Sequence, residues 1–258
     1  MRLHSHGIVR RLAALVIALA CGAMATGAAY AQDASPDAGK TDASKTGGQD
    51  PLNTVVFAGA QADVRAEFVN VGATLAAPSG AIGHGLAVRA SVYGGTYNYG
   101  ANGQRIDAHF SGAELDALWQ VSSNSFWMNT GPGVRYAHTT LSPIDPNNRR
   151  LGSKTELALT TDGGKASGIW RADWYASYGT QLKDYQVRAD LTHHVQGRWR
   201  VGAEAGVEGD PTYFIRRAGV FTGYALDKRS EVQVSGGWSD GAGRGQGGYM
   251  RLGIYRTF

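Results

Sequence analysis

Residues 247–258, the last twelve of the chain, read GGYMRLGIYRTF and alternate apolar with polar side chains. One face, counted back from the aromatic terminus, carries Phe258, Arg256, Ile254, Leu252 and Met250. The other face carries Thr257, Tyr255, Gly253 and Arg251. A period of two with one nearly apolar face is typical of a strand that turns one side to lipid and the other to water. The stretch therefore predicts the closing strand of an outer-membrane β-barrel, although a soluble edge strand taken alone would look the same.

The aromatic carboxyl terminus suggests how such a strand would be recognised. We predict that Phe258, Ile254, Leu252 and Met250 form the signal that the barrel-assembly machinery reads. Arg256 departs from the pattern, because it places a charge on the apolar face.

The amino terminus has the pattern of a secretory signal peptide. Arg2, Arg10 and Arg11 precede an apolar run over residues 12–21, and small residues follow up to the sequence Ala29-Tyr30-Ala31. This order of basic, apolar and small residues predicts export, with cleavage after residue 31. The only cysteine lies inside the segment to be removed. The mature chain would then have neither a thiol nor a disulfide.

Removal of the signal peptide, residues 1–31, also removes most of the excess positive charge. The full sequence has 25 basic and 21 acidic residues, and the signal peptide holds three of the arginines and none of the acids. A nearly neutral mature chain gives no electrostatic case for a nucleic-acid partner, which needs a clustered basic face. No later apolar run is long enough for a transmembrane helix, so a position in the membrane requires strands.

The segment that follows, residues 32–52, reads QDASPDAGKTDASKTGGQDPL and is almost free of large apolar groups. Such a segment cannot bury enough surface to offset the entropy lost on ordering it. We predict a disordered periplasmic linker, either a plain spacer or a tether to another envelope component. The barrel domain would then occupy residues 53–258.

From Thr54 onward, alternating stretches of about ten residues follow one another, which is the spacing of barrel strands. The alternation is clearest in residues 170–178, 185–195 and 199–208. The further segments are 54–62, 66–76, 86–92, 113–121, 125–139, 153–161, 212–226, 230–238 and 247–258. We therefore predict an all-β, antiparallel transmembrane barrel of about twelve strands, in which 54–62 and 212–226 have the least regular faces.

Aromatic residues near the predicted strand ends would form an interfacial belt. They are Trp119, Trp127, Trp170, Tyr178, Tyr185, Trp199, Trp238 and Tyr249. The competing fold is a soluble β-sandwich, whose aromatic residues would lie in a core at mid-strand.

Connector lengths orient the predicted barrel, because such barrels have short periplasmic turns and longer external loops. The short connectors are residues 122–124, 195–198 and 226–229, and the longer ones are residues 99–107, 140–152 and 239–247. The short connectors fall on the side of the chain termini. We therefore predict that both termini lie on the periplasmic side.

The polar faces of the predicted strands place opposite charges inside the barrel. They are Arg135, Arg171, Asp173, Arg188, Asp190, Arg200 and Glu204, with further charges at Arg89, Glu114, Asp116, Lys154 and Glu156. Paired charges in a barrel of this size either line a narrow aqueous pore or interlock to fill the lumen. The sequence leaves both possibilities open.

Two histidine patterns are candidates for catalysis or metal binding. His109 and Ser111 share one face of a predicted strand, as in a lipid A-modifying barrel enzyme, but Glu114 has the opposite parity and cannot orient the histidine. The doublet His193-His194 sends its rings to opposite faces of a strand and cannot chelate one metal ion. No catalytic residue, metal or cofactor is therefore predicted.

The most distinctive stretch is LSPIDPNNRRLGSK, residues 141–154. Its two prolines and its Asp-Pro-Asn-Asn turn predict a rigid excursion between two strands. The run resembles the LSPxDPNNxxxGS hallmark of the cellulose biosynthesis protein BcsS family of Gram-negative bacteria, and a looser similarity extends over residues 55–258. The matching positions are candidate binding residues: Leu141, Ser142, Pro143, Asp145, Pro146, Asn147, Asn148 and Gly152.

The resemblance implies a non-enzymatic outer-membrane accessory in the biosynthesis or secretion of cellulose or another exopolysaccharide. The expected partners are outer-membrane lipid, the barrel-assembly machinery, and cellulose or other components of its secretion apparatus. A general small-solute porin and a lipid A-modifying barrel enzyme remain as alternatives.

Overall fold

The computed structural model describes residues 52–78, 80–242 and 245–258. The predicted signal peptide, and the predicted linker up to residue 51, lie outside these ranges. No helix among the described residues is long and apolar enough to cross a membrane. The strands are β1 (Thr54–Asp63), β2 (Ala66–Ala76), β3 (Gly85–Ala101), β4 (Gln104–Ser122), β5 (Phe126–Ser142), β6 (Gly152–Ser167), β7 (Trp170–Gly179), β8 (Tyr185–His194), β9 (Trp199–Asp210), β10 (Tyr213–Ala225), β11 (Ser230–Gly241) and β12 (Gly245–Thr257).

The strands form one closed antiparallel barrel. Each strand pairs with its neighbours in sequence, and β12 returns to pair with β1 from Val55 opposite Thr257 to Asp63 opposite Tyr249. A closed sheet has no unpaired edge, so its backbone groups are satisfied within the protein, as lipid requires. The prediction of a twelve-strand antiparallel barrel is confirmed, including the two irregular stretches that are now β1 and β10. The alternative of a soluble sandwich is wrong.

The outer face of the barrel is apolar. Large exposed side chains on it include Val88, Leu115, Leu157, Leu159, Val187, Leu191, Val201, Val220, Val234 and Met250. In β12 the alternation is as the sequence predicts, because Met250 lies exposed outside while Arg251 and Tyr255 bond to lumen carboxylates. This face suits contact with lipid.

Most of the predicted belt residues also lie on the outer face, namely Trp119, Trp170, Tyr178, Tyr185, Trp199 and Trp238. The prediction is wrong for two others. Tyr249 is buried inside the barrel, where its hydroxyl donates to Glu204 at 3.0 Å. The indole of Trp127 also lies inside the barrel, where it packs against Gly164. A small residue opposite each ring leaves room inside the barrel, so a position near a strand end does not by itself fix which face an aromatic occupies.

Arg256, the discordant residue of the last strand, lies at the rim of the barrel. Its guanidinium group reaches Asp227, in the turn after β10, at 3.9 Å. It also lies over the ring of Phe258, 5.2 Å from the ring centroid. A long arginine stem near a strand end can thus cover apolar surface while its charge leaves the lipid-facing band.

Two of the predicted long connectors are wrong. β3 and β4 continue until only Asn102-Gly103 separates them, and both residues have positive φ, 51° and 73°. Asn-Gly with two positive φ values favours the tight turn that matches strand twist, so this hairpin can extend instead of opening into a loop. β11 and β12 likewise continue to Gly241 and from Gly245. Only the third predicted long connector, which is residues 143–151 between β5 and β6, is a long loop.

The barrel wall is taller over β3 to β6. These strands have 17, 19, 17 and 16 residues, against 10 each for β7 and β8. A strand of about 9–11 residues suffices to cross a membrane. The additional residues of these strands lie at the end of the barrel away from the termini, since β6 begins at Gly152 but pairs with β7 only from Ala158. The long loop therefore stands on a raised part of the wall, at the end we call the outer mouth.

Introducing a charged residue in the middle of the outer face tests whether this face contacts lipid. Ala189 is exposed at mid-β8, between Trp174 and Ala205 of the adjacent strands. We expect Ala189→Arg to lower the free energy of unfolding by about 2–4 kcal/mol. Val195→Arg, beyond the end of β8, should lower it by only about 0–1 kcal/mol, because the cost of arginine in lipid falls toward the interface. Urea unfolding in lipid vesicles measures both values. Equal costs at the two positions would contradict a lipid-facing outer surface.

Candidate functional site

The inner face of the barrel carries arginines that bridge carboxylates on different strands. Arg200 of β9 contacts Asp173 of β7 at 3.1 Å and Glu231 of β11 at 2.5 Å. The same Asp173 contacts Arg171 at 2.8 Å, and the Arg200 guanidinium lies 4.7 Å from the ring centroid of Phe221. One buried arginine thus connects three strands. A charge in such a position is stable only when it is paired and hydrogen-bonded.

This arrangement recurs along the lumen. The further pairs between strands are Arg89–Asp162, Arg135–Glu114, Arg217–Asp63, Arg217–Glu208 and Arg251–Glu204, and Arg188 pairs with Asp190 of its own strand. The structure therefore places the predicted lumen charges inside the barrel. These charges are thus paired with one another inside the barrel.

The loop of residues 143–151 is ordered by its own polar side chains. Asp145 accepts a hydrogen bond from the backbone N–H of Asn147 at 3.1 Å, and Asn148 accepts one from the backbone N–H of Arg150 at 2.8 Å. The hydroxyl of Tyr99, on β3, donates to Asp145 and accepts from the amide of Asn148, both at 2.8 Å. Asp and Asn favour such local turns because their side chains bond to nearby backbone groups.

The far side of the loop is held by two arginines that sequence reasoning did not select. Arg150 donates to Asp210, at the end of β9, at 3.0 Å and reaches Asp184 at 3.7 Å. Burial alone would lower the pKa of Arg150, but Tyr213, Asp184 and Asp210 outweigh it, so that pKa is raised. Arg149 donates to the carbonyl of Gln181 at 3.1 Å. The loop thus connects β3 on one side of the outer mouth with the β7–β10 side.

The candidate binding residues divide into buried and exposed groups. Leu141 is buried inside the wall in a cluster with Tyr97, Ile106 and Ala108. The bond between Ser142 and Pro143 is cis. Gly152 has a φ of 78°, a backbone conformation that favours glycine. The exposed members are Ser142, Pro143, Pro146 and Asn147. Asp145 and Asn148 are half-buried and bind Tyr99, so ligand binding by the loop stays a prediction.

Below the loop lies a group of inward-facing aromatic residues that the sequence did not reveal. We call it the aromatic strip, and it consists of Phe68, Tyr93, Tyr97, Tyr99 and Phe110. Its neighbouring ring centroids are 6.1–6.5 Å apart. The residues come from three adjacent strands, β2, β3 and β4. The sequence signal for them is a shared parity, which becomes visible only when β3 and β4 are followed over their full lengths.

The residues considered for catalysis and metal binding are separated by the barrel wall. His109 and Ser111 are exposed on the outer face of β4, whereas Glu114 points inward and bonds to Arg135 at 2.7 Å. His193 packs against the ring of Trp170, with centroids 5.0 Å apart. Within the described ranges, no group of three or more His, Cys, Asp and Glu side chains is placed to hold a metal ion.

A closed antiparallel sheet with an apolar outer face, paired charges inside and an ordered loop at one mouth defines an outer-membrane type of β-barrel. The family model of the cellulose biosynthesis protein BcsS matches residues 55–258 of the chain. The chain therefore belongs to the BcsS family, and the match includes nearly the whole barrel.

Comparisons with other proteins concern the fold alone. The KdgM porin is 11% identical, with a TM-score of 0.46, and the alignment covers 79% of this chain and 99% of that one. The translocator domain of the autotransporter NalP from Neisseria meningitidis is 12% identical, with a TM-score of 0.46 and coverage of 82% and 90%. No curated protein matches the sequence.

The shared hydroxyl of Tyr99 should control the order of the loop. Tyr99→Phe removes both hydrogen bonds, so we expect amide hydrogen exchange in residues 143–151 to become roughly tenfold faster, from a loss of about 1–2 kcal/mol. Exchange measured by mass spectrometry tests this, with Tyr255→Phe, at the other end of the lumen, as the control. Unchanged exchange in Tyr99→Phe would show that other contacts hold the loop.

Proposed function

We propose that this chain is a non-enzymatic outer-membrane accessory in the secretion of cellulose or a related exopolysaccharide. The observation that carries the proposal is the match of the BcsS family model over residues 55–258. The apolar outer face and the closed sheet support a position in the outer membrane. Export would follow from the amino-terminal signal pattern.

A non-catalytic role is supported by the positions of the candidate side chains. A serine nucleophile needs a base within hydrogen-bonding reach and a group that orients the base. Glu114 instead faces the lumen and is bonded to Arg135 at 2.7 Å, on the opposite side of the wall from His109 and Ser111. We propose that the function is passage or positioning of a polysaccharide, with no cofactor and no nucleic-acid partner.

The proposed partners act at different stages. Outer-membrane lipid covers the apolar face, and components of the cellulose secretion apparatus, or cellulose itself, meet the mouths of the barrel. The assembly machinery would recognise Phe258, Ile254, Leu252 and Met250 before the barrel closes. This is consistent with the position of Phe258 at the seam, where its backbone N–H donates to Thr54 at 2.7 Å.

Deletion of the gene tests the proposal. We expect a marked loss of cellulose-dependent dye binding, because the polysaccharide would lack its outer-membrane accessory, and recovery when the wild-type chain is supplied on a plasmid. Digestion of the bound material with cellulase identifies it as cellulose. An unaltered phenotype would remove support for the role in secretion.

A matched control separates this role from the alternatives. The double variant His109→Ala/Ser111→Ala should restore cellulose as well as the wild type does, since both side chains lie on the outer face. Failure of the folded variant, with an altered lipid A profile, would favour the enzyme. Ion conductance in planar bilayers without any cellulose phenotype would favour a general porin.

A further inference from the structure

The aromatic strip forms a continuous row of rings on the inner wall. The planes of Phe68 and Phe110 are inclined by 21°, those of Tyr97 and Tyr99 by 25°, and those of Phe68 and Tyr93 by 31°. Their centroid separations of 6.1–6.4 Å are those of rings placed next to one another on one face of a sheet. Phe110 is inclined more steeply to the tyrosines, by 50° to Tyr93 and 46° to Tyr97. The five rings thus form one continuous row along the wall, in which Phe110 is tilted against its two tyrosine neighbours.

Glycines on adjacent strands allow the rings to lie down against the wall. Gly95 is opposite Phe68 on one side and Phe110 on the other. A Cβ atom at Gly95 would lie 2.8 Å from Cζ of Phe110, and one at Gly112 would lie 2.5 Å from Cζ of Tyr93. Any larger residue would lift these rings into the lumen. The rings of Tyr93 and Phe110 therefore lie over glycines of the neighbouring strand, close against the wall.

Only part of the strip is used to hold the loop. Tyr99 binds Asp145 and Asn148, and Tyr97 is buried in the cluster with Leu141. Phe68, Tyr93 and Phe110 are half-buried, so each keeps an accessible fraction. These three rings continue the strip down the wall, below the residues that anchor the loop.

The charges beside the strip are matched to each other. Arg135 contacts Glu114 at 2.7 Å and Asp184 at 3.3 Å. The tyrosine hydroxyl of Tyr93 donates to the backbone carbonyl of Tyr136 at 3.2 Å. A guanidinium group that is already shared between two carboxylates attracts an anionic ligand weakly, so this surface favours a neutral one.

We propose that the aromatic strip is a binding site for a neutral, flat β-linked glucan chain. The proposal rests on the proposed function, which supplies the polysaccharide class. The C–H faces of β-linked pyranose rings are apolar and lie along the two sides of an extended ribbon, so they can pack on aromatic faces. An α-linked glucan coils and does not present successive sugar faces to one continuous row of rings. The strip therefore selects the linkage as well as the absence of charge.

Titration of the purified full chain in detergent with cellohexaose tests the site. We expect calorimetry to detect binding of cellohexaose and none of maltohexaose at the same concentrations. Phe68→Leu and Phe110→Leu should each weaken binding about tenfold, because leucine is apolar and bulky but has no aromatic ring. The affinity of Phe110→Tyr, which keeps the ring, should remain within about twofold of the wild type. Phe214→Leu, an exposed aromatic on the outer face of β10, is the matched control and should bind normally.

Three results would overturn the site: no binding of cellohexaose by the wild-type chain, equal binding of maltohexaose, or unchanged affinity in both leucine variants. The gel mobility of unboiled samples verifies that each variant is folded. Failure here is distinguishable from failure of the proposed function, because the deletion strain reports cellulose secretion without reference to the strip. A deletion strain that fails to secrete cellulose, together with a purified chain that does not bind cellohexaose, would support the secretion role and exclude the glucan site.

Discussion

Pairing of every backbone N–H and C=O group is the constraint on which this fold depends. A strand in lipid cannot leave an edge unpaired, and only closure removes both edges. Here closure is made by β12, whose register runs along β1 from Thr257 opposite Val55 to Tyr249 opposite Asp63, and by Phe258, whose carbonyl accepts from Asn53 at 2.9 Å. The alternation of apolar and polar residues follows from closure, because each strand then has one face toward lipid and one toward the lumen.

Closure also determines what happens inside. Charged side chains on most of the inward faces share a confined space, so arginines are stabilised by carboxylates from other strands, as Arg200 is by Asp173 and Glu231. Glycines such as Gly95 and Gly112 make room for rings on the strands beside them. At the outer mouth, the loop of residues 143–151 is held between Tyr99 and Asp210. The same wall thus provides an apolar exterior, a charged interior and a continuous row of aromatic rings.

The barrel could be predicted from the local alternation of apolar and polar residues. Contacts between residues that are far apart in the sequence could not be predicted in this way. The period of two in residues 185–195 and the polar-apolar pattern of the last strand indicate their faces correctly, because the face of a residue depends only on parity. The tight turn at Asn102-Gly103 is also readable from the sequence, because Asn-Gly favours a two-residue hairpin with positive φ at both positions. The partners of the loop could not be inferred, since Tyr99 and Asp210 come close only through the curvature of the closed sheet. The aromatic strip was hidden for the same reason, because it exists only when β2, β3 and β4 are placed in register.

Recovery of the protein in the outer-membrane fraction, together with its gel mobility before and after boiling, tests most directly whether the chain is a closed barrel in that membrane. A closed barrel resists detergent until it is heated, so the unboiled protein should migrate differently from the boiled one and should be found with outer-membrane proteins. Recovery as a soluble periplasmic protein, with one mobility at either temperature, would contradict the barrel in the membrane.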